Sequence, residues 1–179
     1  MKKFTLLALL IVLYPIDAQN RFSSSKCVIF FEASVPYFEA VEAENNTVDC
    51  TLIPDKSEIA FTAYIKNFRF KRELMKEHFN DNYMESDRYS KATFKGIIEK
   101  FDLKVVTETE KDFFITGKLS IHGKTRMITV VAKIRKAGNG ILIHSNFTLN
   151  TDDFNIDIPN MVIAKISKKV NTQIVCVLN

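Results

Sequence analysis

Alternation of apolar and polar residues with a period of two is the feature that most constrains the fold of this chain. It recurs in runs rich in isoleucine, valine, phenylalanine and threonine, separated by turn-forming pairs such as Pro54–Asp55. Successive strand residues point to opposite faces, so this pattern is typical of strands with one buried face. The runs are Lys26–Ala33, Val48–Ile53, Glu58–Phe68, Ala92–Phe101, Leu103–Glu108, Asp112–His122, Lys124–Arg135, Gly140–Leu149 and Ile166–Leu178. About eight or nine strands predict an all-β barrel or sandwich.

One segment departs from this alternation. Residues Phe70–Asn80 read FKRELMKEHFN, with Leu74, Met75, His78 and Phe79 on one face and charged residues on the other. This amphipathic spacing predicts one short helix. His78 is expected to pack against the apolar face of that helix.

The first residues have the layout of a secretory signal peptide. Two lysines precede an apolar run from Phe4 to Leu13, and Ala18 is a small residue suited to cleavage. The apolar run is shorter than the roughly 20 residues that a stable membrane span requires, although an uncleaved anchor is the alternative. We therefore expect export, a signal peptide over residues 1–18 and one domain over residues 19–179.

No pattern of charge or motif indicates nucleic-acid binding or catalysis. Basic and acidic residues are interspersed, as in Lys71–Arg72–Glu73, without the basic stripe that nucleic-acid binders carry. The three histidines are far apart and lack metal-ligand spacing. No nucleophile elbow, phosphate loop or dinucleotide fingerprint is present. We expect no enzyme, no cofactor, no metal and no nucleic-acid partner; the oligomeric state is left open.

Three cysteines allow two interpretations. Cys27, Cys50 and Cys176 all lie in strand-like runs, and an odd number permits one disulfide plus a free thiol, or no disulfide. Free cysteine is among the most buried residue types and behaves as a small hydrophobic residue. We favour three unpaired, buried cysteines over a structural bridge.

Three longer strings resemble a known family. LMKEHFNDNYMESDRYSKATFKG at Leu74–Gly96 resembles the central motif of the YceI family, in the short form of Bacteroidetes-type secreted members. TGKLSIHGKTRMITV at Thr116–Val130 is similar to a hairpin of that family, and Asp153–Val170 resembles its C-terminal segment. Ser90 departs from the pattern, because the family usually carries proline there.

The resemblance implies both a fold and a function. The fold would be an extended, antiparallel, lipocalin-like β-barrel of about eight strands with a helix closing one end. The function would be binding of a long isoprenoid or another amphiphilic lipid inside the barrel, in the periplasm, with an extracellular location as the alternative. The family has no agreed catalytic set to transfer. The alternative function is a structural or interaction module whose barrel is filled by side chains.

An apolar tunnel would suit such a ligand, because burial of a hydrocarbon tail is favourable by roughly 25 cal/mol per Å² and requires no hydrogen bonds. We expect one strand face to line the tunnel and three helix residues to act as a lid. A register error of one residue would replace the whole face. The expected strand residues are Ile59, Phe61, Ile65, Phe94, Ile115, Leu119, Ile128, Val130 and Phe147, and the helix residues are Leu74, Met75 and Phe79.

Overall fold

The computed structural model describes residues 21–179, so the expected signal peptide lies outside the described residues. Alternating burial along the strands confirms that each strand presents one face to the interior. The strands are β1 Phe22–Ser34, β2 Glu42–Ile53, β3 Glu58–Tyr64, β4 Arg69–Phe70, β5 Lys91–Ile98, β6 Lys111–Ile121, β7 Lys124–Ala137, β8 Gly140–Asn150 and β9 Ile166–Leu178.

Eight of these strands form a closed antiparallel barrel. The sheet runs β1-β9-β8-β7-β6-β5-β3-β2, and β1 also pairs with β2, which closes the ring. Strand β4 is a two-residue addition to β2. The predicted lipocalin-like barrel is therefore confirmed. The run Leu103–Glu108 was predicted as a strand, and that prediction was wrong: it begins with the 3₁₀ turn Leu103–Val105 and, among the described residues, makes a single backbone hydrogen bond to β7, from the amide of Lys136 to the carbonyl of Thr107.

The predicted helix is present but shorter than its apolar pattern. Helix α1 spans Glu73–His78 and continues into a π-helical turn, Phe79–Tyr83. His78 is exposed, so the prediction that it packs against the apolar face was wrong. Because α1 lies on the surface and has no buried residue, only the end of this segment turns toward the barrel. None of the helices in residues 21–179 has the length and apolar character needed to cross a bilayer.

A disulfide joins the neighbouring strands β1 and β9. Cys27 on β1 is bonded to Cys176 on β9, and Cys50 on β2 is a buried free thiol. The interpretation of three unpaired cysteines was therefore wrong. The cause is barrel closure, which places β1 beside β9 and brings together residues separated by 149 positions. The three sulfur atoms lie within 4.8 Å of one another.

Two glycines allow an aromatic ring to lie against the barrel wall. Gly96 on β5 is paired with Gly117 on β6, and the ring of Phe94 lies over both. A Cβ atom at Gly117 would lie 2.4 Å from the carbonyl oxygen of Lys95 and 2.6 Å from the Phe94 ring. Since that oxygen belongs to the backbone, rotation of a side chain cannot relieve the contact, and a side chain does not fit at residue 117.

Candidate functional site: an apolar cavity open at one end

The strand directions define two unlike ends of the barrel. Strands β1, β3, β6 and β8 run toward one end, where the connecting segments are 35–41, 65–90, 122–123 and 151–165. We call this the mouth end, because it carries the helix and the longest connections. The opposite end holds short connections such as Pro54–Ser57 and Gly138–Asn139. We call it the closed end.

The interior is solid at the closed end and hollow toward the mouth. On β7, Ile128, Val130 and Ala132 line a cavity of about 240 Å³, whereas Ile134, two residues nearer the closed end, belongs to the packed core. The same division recurs on β8, where Ile143 lines the cavity and Ile141 does not. Six fully buried aliphatic residues of the strands fill the closed end: Leu52, Ile59, Ile98, Ile134, Ile141 and Leu178. The cavity is therefore an apolar cup with a floor.

The structure places nine of the twelve expected ligand-binding residues on the wall of this cavity. Alternation along the strands thus identified the inward face in the correct register. Contact of these residues with a ligand stays a prediction. They are Phe61, Ile65, Phe79, Phe94, Ile115, Leu119, Ile128, Val130 and Phe147.

The other three expected residues do not line the cavity. Ile59 points inward but is one layer too deep, in the packed core of the closed end, where its exposure is 2%. Leu74 is 60% exposed, and Met75 is partly exposed. Both lie on α1, whose apolar side is not turned toward the barrel opening. Of the predicted lid, only Phe79 covers the cavity.

Phe79 is the centre of an aromatic cluster on one side of the mouth. Its ring centroid lies 5.6 Å from that of Phe31, 5.7 Å from that of Phe68 and 5.0 Å from that of Phe70. Aromatic pairs at 4.5–7 Å add stabilisation beyond the area that they bury. The π-helical turn is therefore anchored to β1 and β4 by stacking, and it holds Phe79 and Tyr83 over the cavity. Burial also raises the pKa of the Tyr83 hydroxyl.

The opposite side of the mouth is covered by a segment that sequence reasoning missed. Phe154, Ile156 and Ile158 all line the cavity, and Phe154 is only 2% exposed. The sequence feature that could have revealed this segment is the alternation of these three residues with Asp153, Asn155 and Asp157. The resemblance placed the segment in the C-terminal part of the family pattern and gave it no role in binding. Its acidic residues are exposed, so the segment is amphipathic in the same period-two sense as a strand.

His122 connects the two sides of the mouth. Its Nδ1 atom lies 3.2 Å from the carbonyl oxygen of Phe154, and its Nε2 atom lies 3.4 Å from a carboxylate oxygen of Glu85. The ring packs edge-on against Tyr89 at 4.6 Å. Because Glu85 and Tyr89 follow the helical segment, His122 ties that segment to the 151–165 connection through the β6–β7 hairpin.

The cavity lining contains almost no polar chemistry. Among the described residues, no charged side chain lines it, and the hydroxyl of Ser145 donates to the carbonyl of Val131 at 2.7 Å. The polar side chains of Thr93, Asn150, Ser167 and Thr172 also line it. Thr151 differs from them in being 8% exposed with an Oγ1 atom that has no hydrogen-bond partner among the described residues. An unpartnered hydroxyl is unfavourable in an apolar site. Thr151 is therefore one wall hydroxyl whose hydrogen bond a polar atom of a ligand near the mouth would supply.

These features define a class: small antiparallel β-barrels of lipocalin-like form that enclose an apolar cavity. The chain belongs to the YceI-like domain family, whose sequence model matches residues 16–178. No curated protein sequence matches the chain.

Solved structures with the same fold share little sequence with the chain. A polyisoprenoid-binding domain from Saccharophagus degradans, implicated in plant cell wall breakdown, superposes with a TM-score of 0.76 at 12% identity, covering 89% of this chain and 97% of its own. BcnA from Burkholderia cenocepacia gives 0.68 at 15% identity, with 85% and 96% coverage. The Campylobacter jejuni YCEI protein gives 0.56 at 18% identity, with 99% and 97% coverage. At these identities, the likeness establishes the fold alone.

Proposed function

We propose that the protein binds the chain of a long isoprenoid or another amphiphilic lipid inside the barrel, in the periplasm, and acts as a carrier rather than as an enzyme. The observation that supports this most is the uncharged, largely apolar wall of a cavity open at one end. Such a wall offers favourable burial to a hydrocarbon chain, at roughly 25 cal/mol per Å². It offers few groups that could hold a polar molecule.

Two further observations support the proposal. The chain belongs to the YceI-like family, and a fold neighbour is described as a polyisoprenoid-binding domain. The Cys27–Cys176 disulfide fits an oxidising compartment such as the periplasm, as does the signal-peptide layout of residues 1–18. The filled-barrel alternative describes the closed end well, but it leaves the hollow half without a role.

Solvent extraction of the purified protein, followed by mass spectrometry, tests the proposal. The expected result is a long-chain lipid near one equivalent per protein, and rebinding of a fluorescent fatty or isoprenoid chain after delipidation. The proposal would be contradicted if the protein purified from its native host carried no lipid and bound no such probe after delipidation.

The polar end of the ligand is tested separately at Thr151. Thr151→Val keeps the side-chain shape but removes the unpartnered hydroxyl. Loss of one hydrogen bond, about 0.5–1.5 kcal/mol, should weaken binding of a long-chain alcohol roughly 2- to 13-fold. Binding of a hydrocarbon of equal length should not weaken. Thr129→Val, at an exposed position on β7, is the matched control. Equal weakening for both ligands would remove Thr151 from the head-group site.

A further inference from the structure

The mouth end carries large apolar side chains that are exposed to solvent. Tyr37 and Met161 are almost fully exposed, at 105% and 90% of the reference area, and Phe38, Leu74 and Ile163 are 47%, 60% and 44% exposed. We call these five residues the apolar rim. Single exposed apolar residues are ordinary on protein surfaces, but a contiguous group commonly marks an interaction site.

Strand pairing and ion pairs make the rim contiguous. Pairing of Ser34 with Ile166 brings the β1–β2 loop, with Tyr37 and Phe38, beside the β8–β9 connection, with Met161 and Ile163. Ion pairs of Arg72 with Glu39, at 2.6 Å, and of Lys71 with Glu42 fix the start of α1 beside the β1–β2 loop. Leu74 follows directly. The rim is thus an arc along three neighbouring segments of the mouth.

This arc is continuous with the cavity wall. Val41, the last residue of the β1–β2 loop, lines the cavity, as do Ile158 and Ile166 on either side of Met161 and Ile163. A surface that covers the rim would therefore lie directly over the route into the cavity.

An uncharged stretch followed by lysines, two of them unpaired in the described part of the chain, favours a membrane as the covering surface. Residues 158–164 carry no charge; Asp157 precedes them, and Lys165, Lys168 and Lys169 follow, of which Lys168 is ion-paired with Asp152 at 2.9 Å. Lys165 is exposed and has no ion pair among the described residues. Aromatic and aliphatic tips backed by lysines resemble the composition of segments that lie in the headgroup region of a bilayer. Lysine beside anionic lipid adds attraction of about 1 kcal/mol per residue.

We infer that the apolar rim docks on the surface of a lipid bilayer with anionic headgroups, so that the cavity mouth faces the lipid phase. This inference depends on the proposed function for its purpose: a carrier of a water-insoluble chain must take it up and release it at membranes. Docking itself requires only the rim and the two lysines behind it that have no ion pair among the described residues, Lys165 and Lys169.

Vesicle flotation tests the inference. Residues 19–179 contain all nine strands and exclude the apolar run at 4–13, which would itself bind lipid. This chain is mixed with vesicles of phosphatidylcholine and phosphatidylglycerol, or of phosphatidylcholine alone. The rim variant is Phe38→Ser, Met161→Ser and Ile163→Ser. The matched control, Phe114→Ser, Val131→Ser and Val177→Ser, removes three exposed apolar side chains from the barrel wall.

The unsubstituted protein should float more strongly with the anionic vesicles than with phosphatidylcholine alone. The partition coefficient of the rim variant into anionic vesicles should be at least about ten-fold lower than that of the unsubstituted protein, and that of the wall variant should stay within about two-fold of it. Failure of the parent to float, or equal loss in both variants, would overturn the inference. So would a parent dimer that the rim variant cannot form, because the rim would then be an interface between copies.

Binding of a dispersed fluorescent chain separates the two proposals. If the unsubstituted protein binds the fluorescent lipid but does not float with vesicles, the docking inference fails and the carrier function stands. If it floats but binds no fluorescent lipid, the docking inference stands and the carrier function fails. The rim variant should retain its equilibrium affinity for the dispersed chain while acquiring it more slowly from vesicles.

Discussion

Filling the floor of the cavity should stabilise the barrel and weaken ligand binding. Ala132 on β7 is fully buried and forms part of the floor, directly above the solid core. Ala132→Leu adds three carbon atoms that would enter empty space. At about 0.8 kcal/mol per buried methylene, burial contributes up to about 2.4 kcal/mol. Lost rotamer freedom costs about 0.5–1 kcal/mol. The free energy of unfolding should therefore rise by up to about 1.5–2 kcal/mol.

The matched control is an alanine that has no space beside it. Ala43 on β2 is 3% exposed and belongs to the packed core, but it does not line the cavity. Ala43→Leu should overpack that core and lower stability by about 1–3 kcal/mol.

Urea unfolding of the delipidated proteins, followed by circular dichroism, measures both changes. A fluorescent-chain titration then measures binding, which should weaken for Ala132→Leu because the cup becomes shallower. If Ala132→Leu destabilises the protein as much as Ala43→Leu does, the space above the floor is not empty and the reasoning fails.

Three further predictions concern the walls and the sulfur atoms. Gly117→Ala should lower stability by about 1–3 kcal/mol, because its Cβ would meet backbone atoms of β5; an unchanged urea midpoint would contradict that contact. Replacing Cys27 and Cys176 together by alanine should cost roughly 3–5 kcal/mol in urea unfolding, since the bond closes a loop of 149 positions, and a loss below about 1 kcal/mol would argue against the bond. Burial raises the pKa of the Cys50 thiol far above its ordinary value, so the thiolate is scarce at neutral pH. Iodoacetamide should therefore leave Cys50 unmodified in the native protein and label it after unfolding, as mass spectrometry would show; rapid native labelling would mean that the site opens.

The sequence predicts the inward face of the barrel well, because burial of one face leaves a period-two record in every strand. That is why Phe61, Ile115 and Val130 could be assigned to the interior before the structure was known. Alternation contains no information about depth along the strand. Ile59 and Phe61 have the same pattern, yet only Phe61 reaches the hollow half. Depth is set by where the opposing side chains of other strands meet.

Long-range closure explains the other differences. The contact of Cys27 with Cys176 follows from β1 pairing with β9, which no local pattern reports. The exposure of Leu74 follows from how α1 sits on the barrel, whereas amphipathic spacing reports only that the helix has two faces. The segment containing Phe154 was assigned to the C-terminal part of the family resemblance without a role in the cavity, because its alternation is short and lies outside the predicted strands.

The disulfide lies at the closed end, on the floor side of the residues with which β1 and β9 line the cavity. The fully packed aliphatic layer occupies the same end, so covalent and packing constraints are concentrated away from the mouth. The strand ends near the mouth are held by aromatic stacking and by His122 instead. Such a barrel can open locally at the mouth end while the closed end stays folded. Amide hydrogen exchange should accordingly be graded along each strand, slow beside Ile134 and faster beside Ile128, and the proposed ligand would need only this local opening to enter or leave.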